Sequence, residues 1–146
     1  MEASLAAIAA LEPSAMRVLF VEDNEVNRRV VKEMLRAGGV DMAEAEDGVV
    51  GLEMINTQCF DLVLMDLRMP VMDGLTAIRH IRARADDKAG LPVIVVTADD
   101  GPSVDADCRR AGADDVIHKP VSMSDLFAAI GALMARRGGE DAMMIA

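Results

Sequence analysis

Glu22-Asp23, Asp66, Thr97 and Lys119 each stand at the end of a short apolar run. Met-Arg-Val-Leu-Phe-Val precedes the acid pair, Leu-Val-Leu-Met precedes Asp66, Val-Ile-Val-Val leads into Thr97, and Asp-Val-Ile-His leads into Lys119. Runs of this kind read as strands, and the most apolar of them as strands covered on both faces. In a parallel sheet all the carboxyl ends share one edge, which is where open α/β folds hold ligands. Three carboxylates, a hydroxyl and an ammonium would then meet in one place. Carboxylates that close raise each other's pKa unless a cation sits among them. A hard divalent ion such as Mg²⁺ takes one or two carboxylates and keeps waters. Beside it an aspartate stays ionised, able to attack phosphorus and hold a phosphoryl group. That group spreads charge over three oxygens, for which metal, lysine and hydroxyl are suitable partners. Lys119 is also placed to pair with Asp66 when no phosphoryl group is present. Taken singly, a strand-end acid is a turn former or a helix cap. The shared edge is what makes the set chemical, and it offers no hydrolase triad.

The segments between these residues have to build that edge. A first strand is expected over 16–21 and a helix from Asn24, its N-cap, to about Ala37, where Gly38-Gly39 stops it. Val26, Val30 and Met34 line one stripe of this helix and Asn27, Val31 and Leu35 an adjoining one, with Arg28, Arg29, Lys32 and Glu33 mostly solvated. A weaker strand at 40–46 has Met42 and Ala43 as its best core candidates. After the Asp47-Gly48 turn, a helix over 49–57 turns Val49, Leu52 and Ile55 inward. The third strand is 60–65. Asp73-Gly74 opens a helix to about Arg84, with Leu75, Ile78 and Ile81 inward and Arg79, His80, Arg82 and Arg84 outward. Strand 92–97, a helix near 103–111 ended by Gly112, strand 115–118 and a last helix near 124–136 complete the pattern. Ser122 or Ser124 caps that last helix, and Gly138-Gly139 ends it. Five strand–helix alternations imply an α/β fold with a parallel sheet covered on both sides.

Composition agrees. The 146 residues are 52% hydrophobic, enough for one globular domain with a real core. Only 2% are aromatic, so Val, Ile, Leu, Met and Ala must build that core. The formal net charge of −10 argues against nucleic-acid or anionic-membrane binding through bulk charge, and suits a site that gathers carboxylates around a cation. Cys59 and Cys108 fit no zinc or redox spacing and read as reduced packing residues of a cytoplasmic protein. No apolar run approaches the ~20 residues of a membrane span. Residues 1–15 carry Leu5, Ile8 and Leu11 at helical spacing but no basic start, which points to a flanking linker rather than a secretory signal. Residues 138–146 read as a loose C-terminal tail.

Over residues 16–137 the sequence resembles a response-regulator receiver domain of two-component signalling. The resemblance rests on Glu22-Asp23, Asp66 within Leu-Met-Asp-Leu-Arg-Met-Pro, the Asp73-Gly74 turn, Thr97-Ala98 and Lys119-Pro120, in that order. Val-Glu-Asp-Asn-Glu-Val-Asn-Arg, Val21 to Arg28, resembles the receivers of hybrid histidine kinases in particular, from which such a module is sometimes excised. The resemblance implies a flavodoxin-like, doubly wound five-stranded parallel sheet of order 2-1-3-4-5 with five helices. It implies that Asp66 accepts phosphoryl from a phosphohistidine on a histidine kinase or phosphotransfer protein. Mg²⁺ would be bound by Asp23, Asp66 and the backbone carbonyl of Arg68, with Glu22 acting largely through water. Thr97 and Lys119 would each contact a phosphoryl oxygen, Ala98 would leave room for the group, and the Lys119–Pro120 bond would be cis. Val116 stands where the family often has an aromatic that swings inward on activation. Switching is therefore expected through a subtler shift of the loop after the fourth strand, here Asp99-Asp100-Gly101-Pro102.

Three further expectations follow. Arg68 and Asp99 stand two residues past Asp66 and Thr97, where they can meet across the mouth of the site and slow the approach of water. The first helix, through Val26, Arg29 and Val30, is the expected face for the phosphodonor. The fourth helix, fifth strand and fifth helix form the face for an effector or a second copy. Such a module catalyses only its own phosphorylation and dephosphorylation. The alternatives are a receiver-like module that binds without phosphorylation, and an aspartyl-phosphate phosphatase. Against the phosphatase, Arg68 occupies the place where a second acid is wanted.

Overall fold

The computed structural model describes the backbone of residues 16–145 and the side chains as far as Arg137; the segment expected to be a linker at 1–15 lies outside the described residues. Five strands, β1 (Arg17–Val21), β2 (Asp41–Ala45), β3 (Leu62–Met65), β4 (Val93–Thr97) and β5 (Asp115–His118), alternate with α1 (Glu25–Ala37), α2 (Gly48–Thr57), α3 (Gly74–Arg82), α4 (Val104–Ala111) and α5 (Met123–Ile145). A 3₁₀ turn, Asp87–Gly90, lies between α3 and β4. All strand pairs are parallel, in the order β2-β1-β3-β4-β5, the flavodoxin-like arrangement.

Strand side chains alternate between two cores. Leu19, Val21, Val63, Met65, Val93 and Val95 face Ile55 of α2, Ile78 and Ile81 of α3, and Cys108 of α4. Val18, Phe20, Leu62, Leu64, Ile94 and Val96 face Val31 and Leu35 of α1 and Leu126, Ile130 and Leu133 of α5. With helices on both faces, β3 and β4 are buried throughout, which is why they read as unbroken apolar runs.

Helix starts follow the expected chemistry. The side chains of Asn24, Asp47 and Asp73 accept the backbone amides of Asn27, Val50 and Thr76. Ser122 Oγ accepts the Asp125 amide at 3.0 Å, so Ser122 rather than Ser124 caps α5. Gly112 ends α4 in the left-handed region at φ 118°.

Several expectations are corrected. In β2 the buried residues are Met42 and Ala45, which face opposite cores, while Ala43 is only half-buried, against the same core as Ala45. Val49 is 36% exposed and Gly51 faces the sheet instead, since α2 packs so closely on Val21 that only glycine fits. Arg82 does not point outward. Its guanidinium donates to the carbonyls of Gly112, Ala89 and Leu91 and to Asp114 Oδ2, tying α3 to the start of β4. A long stem with a hydrogen-bonding head can sit half-buried where a short polar group could not. Cys59 is exposed and is no packing residue, whereas Cys108 is buried. The backbone of α5 continues through Gly138-Gly139 to Ile145. A helical glycine costs about 1 kcal/mol against alanine but keeps its backbone hydrogen bonds, so the pair does not stop the helix.

One contact of the fold bears directly on the chemistry. A Cβ at Gly74 would fall well inside contact distance of the Asp66 carbonyl oxygen and the Leu67 backbone. The start of α3 thus presses on the backbone that carries Asp66, and the Gly74 amide donates to the Leu67 carbonyl at 2.9 Å. Overpacking of rigid backbone costs about 3 kcal/mol. Gly74→Ala is expected to lose about that much in urea unfolding, while Gly90→Ala, with nothing within 4 Å of the added methyl group, changes little. Equal effects of the two substitutions would contradict this packing.

Candidate functional site

The sheet ladder continues past the strand ends and fixes the backbones of Glu22, Asp66 and Lys119. The Glu22 amide donates to the Ala45 carbonyl at 2.9 Å, the Asp66 amide to Val21 at 3.0 Å, and the Lys119 amide to Thr97 at 2.7 Å. Strands β1, β3, β4 and β5 are neighbours, so their ends form one rim. Glu22, Asp23, Asp66, Arg68, Thr97 and Lys119 all line a single cavity of about 480 Å³ there.

Glu22, Asp23 and Asp66 each offer a carboxylate oxygen within 4.8 Å of one another. Glu22, Asp66 and Thr97 are buried, while Asp23 faces solvent. The Lys119 ammonium lies 3.1 Å from Glu22 Oε2 and 3.5 Å from Asp66 Oδ1, so one cation is shared between two buried acids. The Asp66 carboxyl is pushed up to about 6, first by burial and then by the charge of Glu22, with Lys119 pulling the other way. Its Oδ1 also accepts the Leu67 amide at 2.9 Å. The Lys119–Pro120 bond is cis, as the resemblance implied.

At the mouth, Arg68 Nη2 donates to Asp99 Oδ2 at 2.9 Å. The two residues meet where they were expected to. Hydrogen bonding from Arg68 holds the Asp99 carboxyl below its ordinary value. Thr97 Oγ1 accepts the Asp99 amide at 3.0 Å, so the loop bearing Asp99 and the hydroxyl of Thr97 are fastened together. Val116 is half-buried against the core on the α2–α4 side of the sheet.

Two site residues escaped the sequence reading of single roles. Asn27 Nδ2 donates to Glu22 Oε1 at 3.1 Å. Arg28, expected to be solvated, is only 15% exposed at its side chain; it donates to the Glu22 carbonyl at 2.7 Å and to Glu44 Oε1 at 3.1 Å. The Asn-Arg pair inside Val21 to Arg28 was the available signal, but helical spacing alone does not tell which way a side chain reaches.

The donor set fits a hard cation. It is all oxygen, carries more negative charge than Lys119 offsets, and has one acid open to water, which suits an ion that keeps part of its hydration shell.

A flavodoxin-like sheet with acids, threonine and lysine on its carboxyl edge defines a class of signalling domain. Residues 18–131 match the family model described as the response regulator receiver domain, and the chain belongs to that family. It is 38% identical over 127 residues to the response regulator MprA of Mycobacterium leprae (strain TN), covering 87% of this chain. The chain spans about half the length of the curated relatives it matches, 54% in that case. Among solved structures it resembles the receiver domain of sensor histidine kinase PA1611 from Pseudomonas aeruginosa PAO1, which has a magnesium ion coordinated in its active-site cleft. That pair is 35% identical with a TM-score of 0.73, covering 79% of this chain and 93% of that one. The receiver domain of the Francisella response regulator 1452 is 28% identical with a TM-score of 0.76, covering 84% and 98%. The chain is thus a receiver domain of two-component signalling.

The raised carboxyl has a consequence for stability. Its value of about 6 in the fold exceeds the ordinary 3.8, so between those pH values the folded state binds more protons than the unfolded state. Stability contributed by this group therefore falls as pH rises through that window and is fully lost above it. In EDTA at pH 7.5, Asp66→Asn is expected to be more stable than the wild type by about 2–3 kcal/mol. The advantage should largely vanish near pH 4. Urea unfolding at both pH values checks it; no difference between them would contradict the account.

Proposed function

We propose that Asp66 accepts a phosphoryl group from a phosphohistidine on a histidine kinase or histidine phosphotransfer protein, and that a protein partner reads the change. One observation carries the reading. A buried aspartate shares a single lysine ammonium with a second buried acid, at 3.5 and 3.1 Å, inside an open cavity. A purely structural acid gains little from such crowding, whereas an acceptor needs both the carboxylate and a mobile cation beside it.

The Leu67 amide and Lys119 both lie against Asp66 Oδ1, which leaves Oδ2 as the attacking oxygen. Oδ2 forms a bond to phosphorus as the N–P bond of the donor breaks, and that electron pair stays on the imidazole nitrogen. The product is an acyl phosphate on Asp66. A bound Mg²⁺, held by Asp23, Asp66 and the Arg68 backbone carbonyl with Glu22 acting through water, would neutralise charge on the transferring group. Lys119 passes from Asp66 to one phosphoryl oxygen. Thr97 donates its hydroxyl to another, and this pulls on the Asp99 amide bonded to that same hydroxyl oxygen. With Val116 in place of a bulky aromatic, this loop is the element that carries the change. Domains of this kind act catalytically only on their own aspartate.

Val26 and Val30 on α1 are 63% and 46% exposed beside an apolar groove of about 430 Å³ bounded by Phe20, Val31, Pro120 and Val121. The groove opens next to Lys119, which favours this face for the phosphodonor. The α4–β5–α5 face, where His118 and Asp105 lie 2.9 Å apart, serves an effector or a second copy. Among the described residues no helix is long and apolar enough to cross a membrane.

Acetyl phosphate with Mg²⁺, followed by intact mass, is expected to add one phosphoryl unit to the wild type and none to Asp66→Asn. Turnover of a free phosphoester would favour a phosphatase, and no mass gain would favour binding without phosphorylation. The Arg68–Asp99 pair closes the route water must take to the acyl phosphate. The phosphoryl lifetime should shorten severalfold in Arg68→Ala and in Asp99→Ala, and unchanged lifetimes in both would reject the gate.

A further inference from the structure

Glu22 is buried almost completely, and the protein occupies both of its carboxylate oxygens. Lys119 takes Oε2, and Asn27 Nδ2 takes Oε1 at 3.1 Å. These two partners are not equivalent. Lys119 is also 3.5 Å from Asp66, and in the proposed reaction it turns to a phosphoryl oxygen. Asn27 has no such second duty. It sits in the first turn of α1, its backbone amide fixed by the Asn24 cap at 2.9 Å, and its side chain reaches back over the end of β1. A carboxylate left with one mobile partner can rotate, and its oxygens then no longer stay where a cation and its waters need them.

We infer that Asn27 is a positioning residue of the cation site: it holds the Glu22 carboxylate in place from the side opposite Lys119 and keeps it there when Lys119 leaves. This deepens the magnesium reading given above and rests on it. A neutral donor is the group the place calls for. A lysine there would add a second cation competing with Mg²⁺, and an aspartate would add a fourth acid and turn the donor into an acceptor. Glu22 meets the ion through water, and outer-shell groups of that kind, held in place by their own partners, are worth about 10-fold in metal affinity. Asn27 also borders both the site cavity and the apolar groove beside α1, so a donor seated in that groove touches the residue that steadies Glu22.

The test is Mg²⁺ titration of the unphosphorylated protein, followed by amide shifts in ¹H–¹⁵N NMR spectra. Asn27→Ala is expected to weaken Mg²⁺ binding about 10-fold. Asn27 is half-buried in the first turn of α1, and alanine is a good helix former that removes only its amide head, so the fold survives. The same substitution made on a Glu22→Ala background should cause no further loss, because the carboxylate it acts through is gone. Glu22→Leu provides a second background that fills the vacated volume. An undiminished effect of Asn27→Ala in either background would overturn the role, as it would show Asn27 acting on the ion or the helix directly. Tight binding in Asn27→Ala, equal to wild type, would also overturn it. If the wild type itself bound no Mg²⁺, the magnesium reading would fall first and this role with it.

Discussion

Asp66 is held in a buried place beside another buried acid, with one ammonium between them, and most of the upper edge of the sheet is arranged around that arrangement. Two desolvated carboxylates and one lysine do not balance. The carboxyl of Asp66 answers by rising to about 6, and the third acid, Asp23, adds to the excess from the solvent side. Such a site is poised to take up positive charge. In the proposed reaction the aspartate becomes an acyl phosphate, which adds negative charge to the site, so a bound cation and Lys119 would be needed more after the transfer than before it. The fold tolerates the imbalance because the backbones of Glu22, Asp66 and Lys119 are locked into the ladder by hydrogen bonds to the neighbouring strands.

Stability is supplied elsewhere. At the opposite edge, Arg82 gathers three backbone carbonyls and Asp114, and Asp114 in turn accepts the Val93 amide at 2.9 Å. Every strong group there is paired, and burial opposes the charge on Arg82 without leaving it unsatisfied. The upper edge is different. Beyond the buried acids, the loop after β3 turns tightly, with Val71 at φ 72° and the Met72 amide donating to the Pro70 carbonyl at 2.8 Å. A β-branched residue is rarely found in that region, so the turn that follows Asp66 stores strain. Paired charge at one end of the sheet and unbalanced charge with strain at the other divide stability from function along the strands.

The parts of this legible in the sequence were those set by periodicity and by strand ends. The runs before Asp66 and Thr97 read as strands buried on both faces, and parallel strands put their last residues on one rim, so the acids, Thr97 and Lys119 were brought together by the strand–helix alternation. The strand order itself was implied by the family resemblance, and the sheet bears it out. What failed depended on side-chain reach or on close backbone contact. Arg28 and Arg82 were placed in solvent by their helix positions, yet Arg28 reaches the Glu22 carbonyl and Glu44, and Arg82 reaches three backbone carbonyls and Asp114. Val49 gave way to Gly51 because the distance between a helix and a sheet is not written in a hydrophobic pattern. The glycine pair in α5 was given more power to end a helix than its small cost warrants. Nothing about Val71 in isolation announces a left-handed backbone.

The proposed role of Asp66 depends above all on the ionisation of its carboxyl group, which ¹³C NMR can follow directly in protein labelled at the aspartate side chains, with Asp66→Asn assigning the signal. In EDTA the Asp66 carboxyl should titrate near 6, and excess Mg²⁺ should bring its midpoint well below that value. A carboxyl that titrates near the ordinary 3.8 in EDTA, with no response to Mg²⁺, would contradict the proposal that Asp66 is a buried acceptor served by a cation.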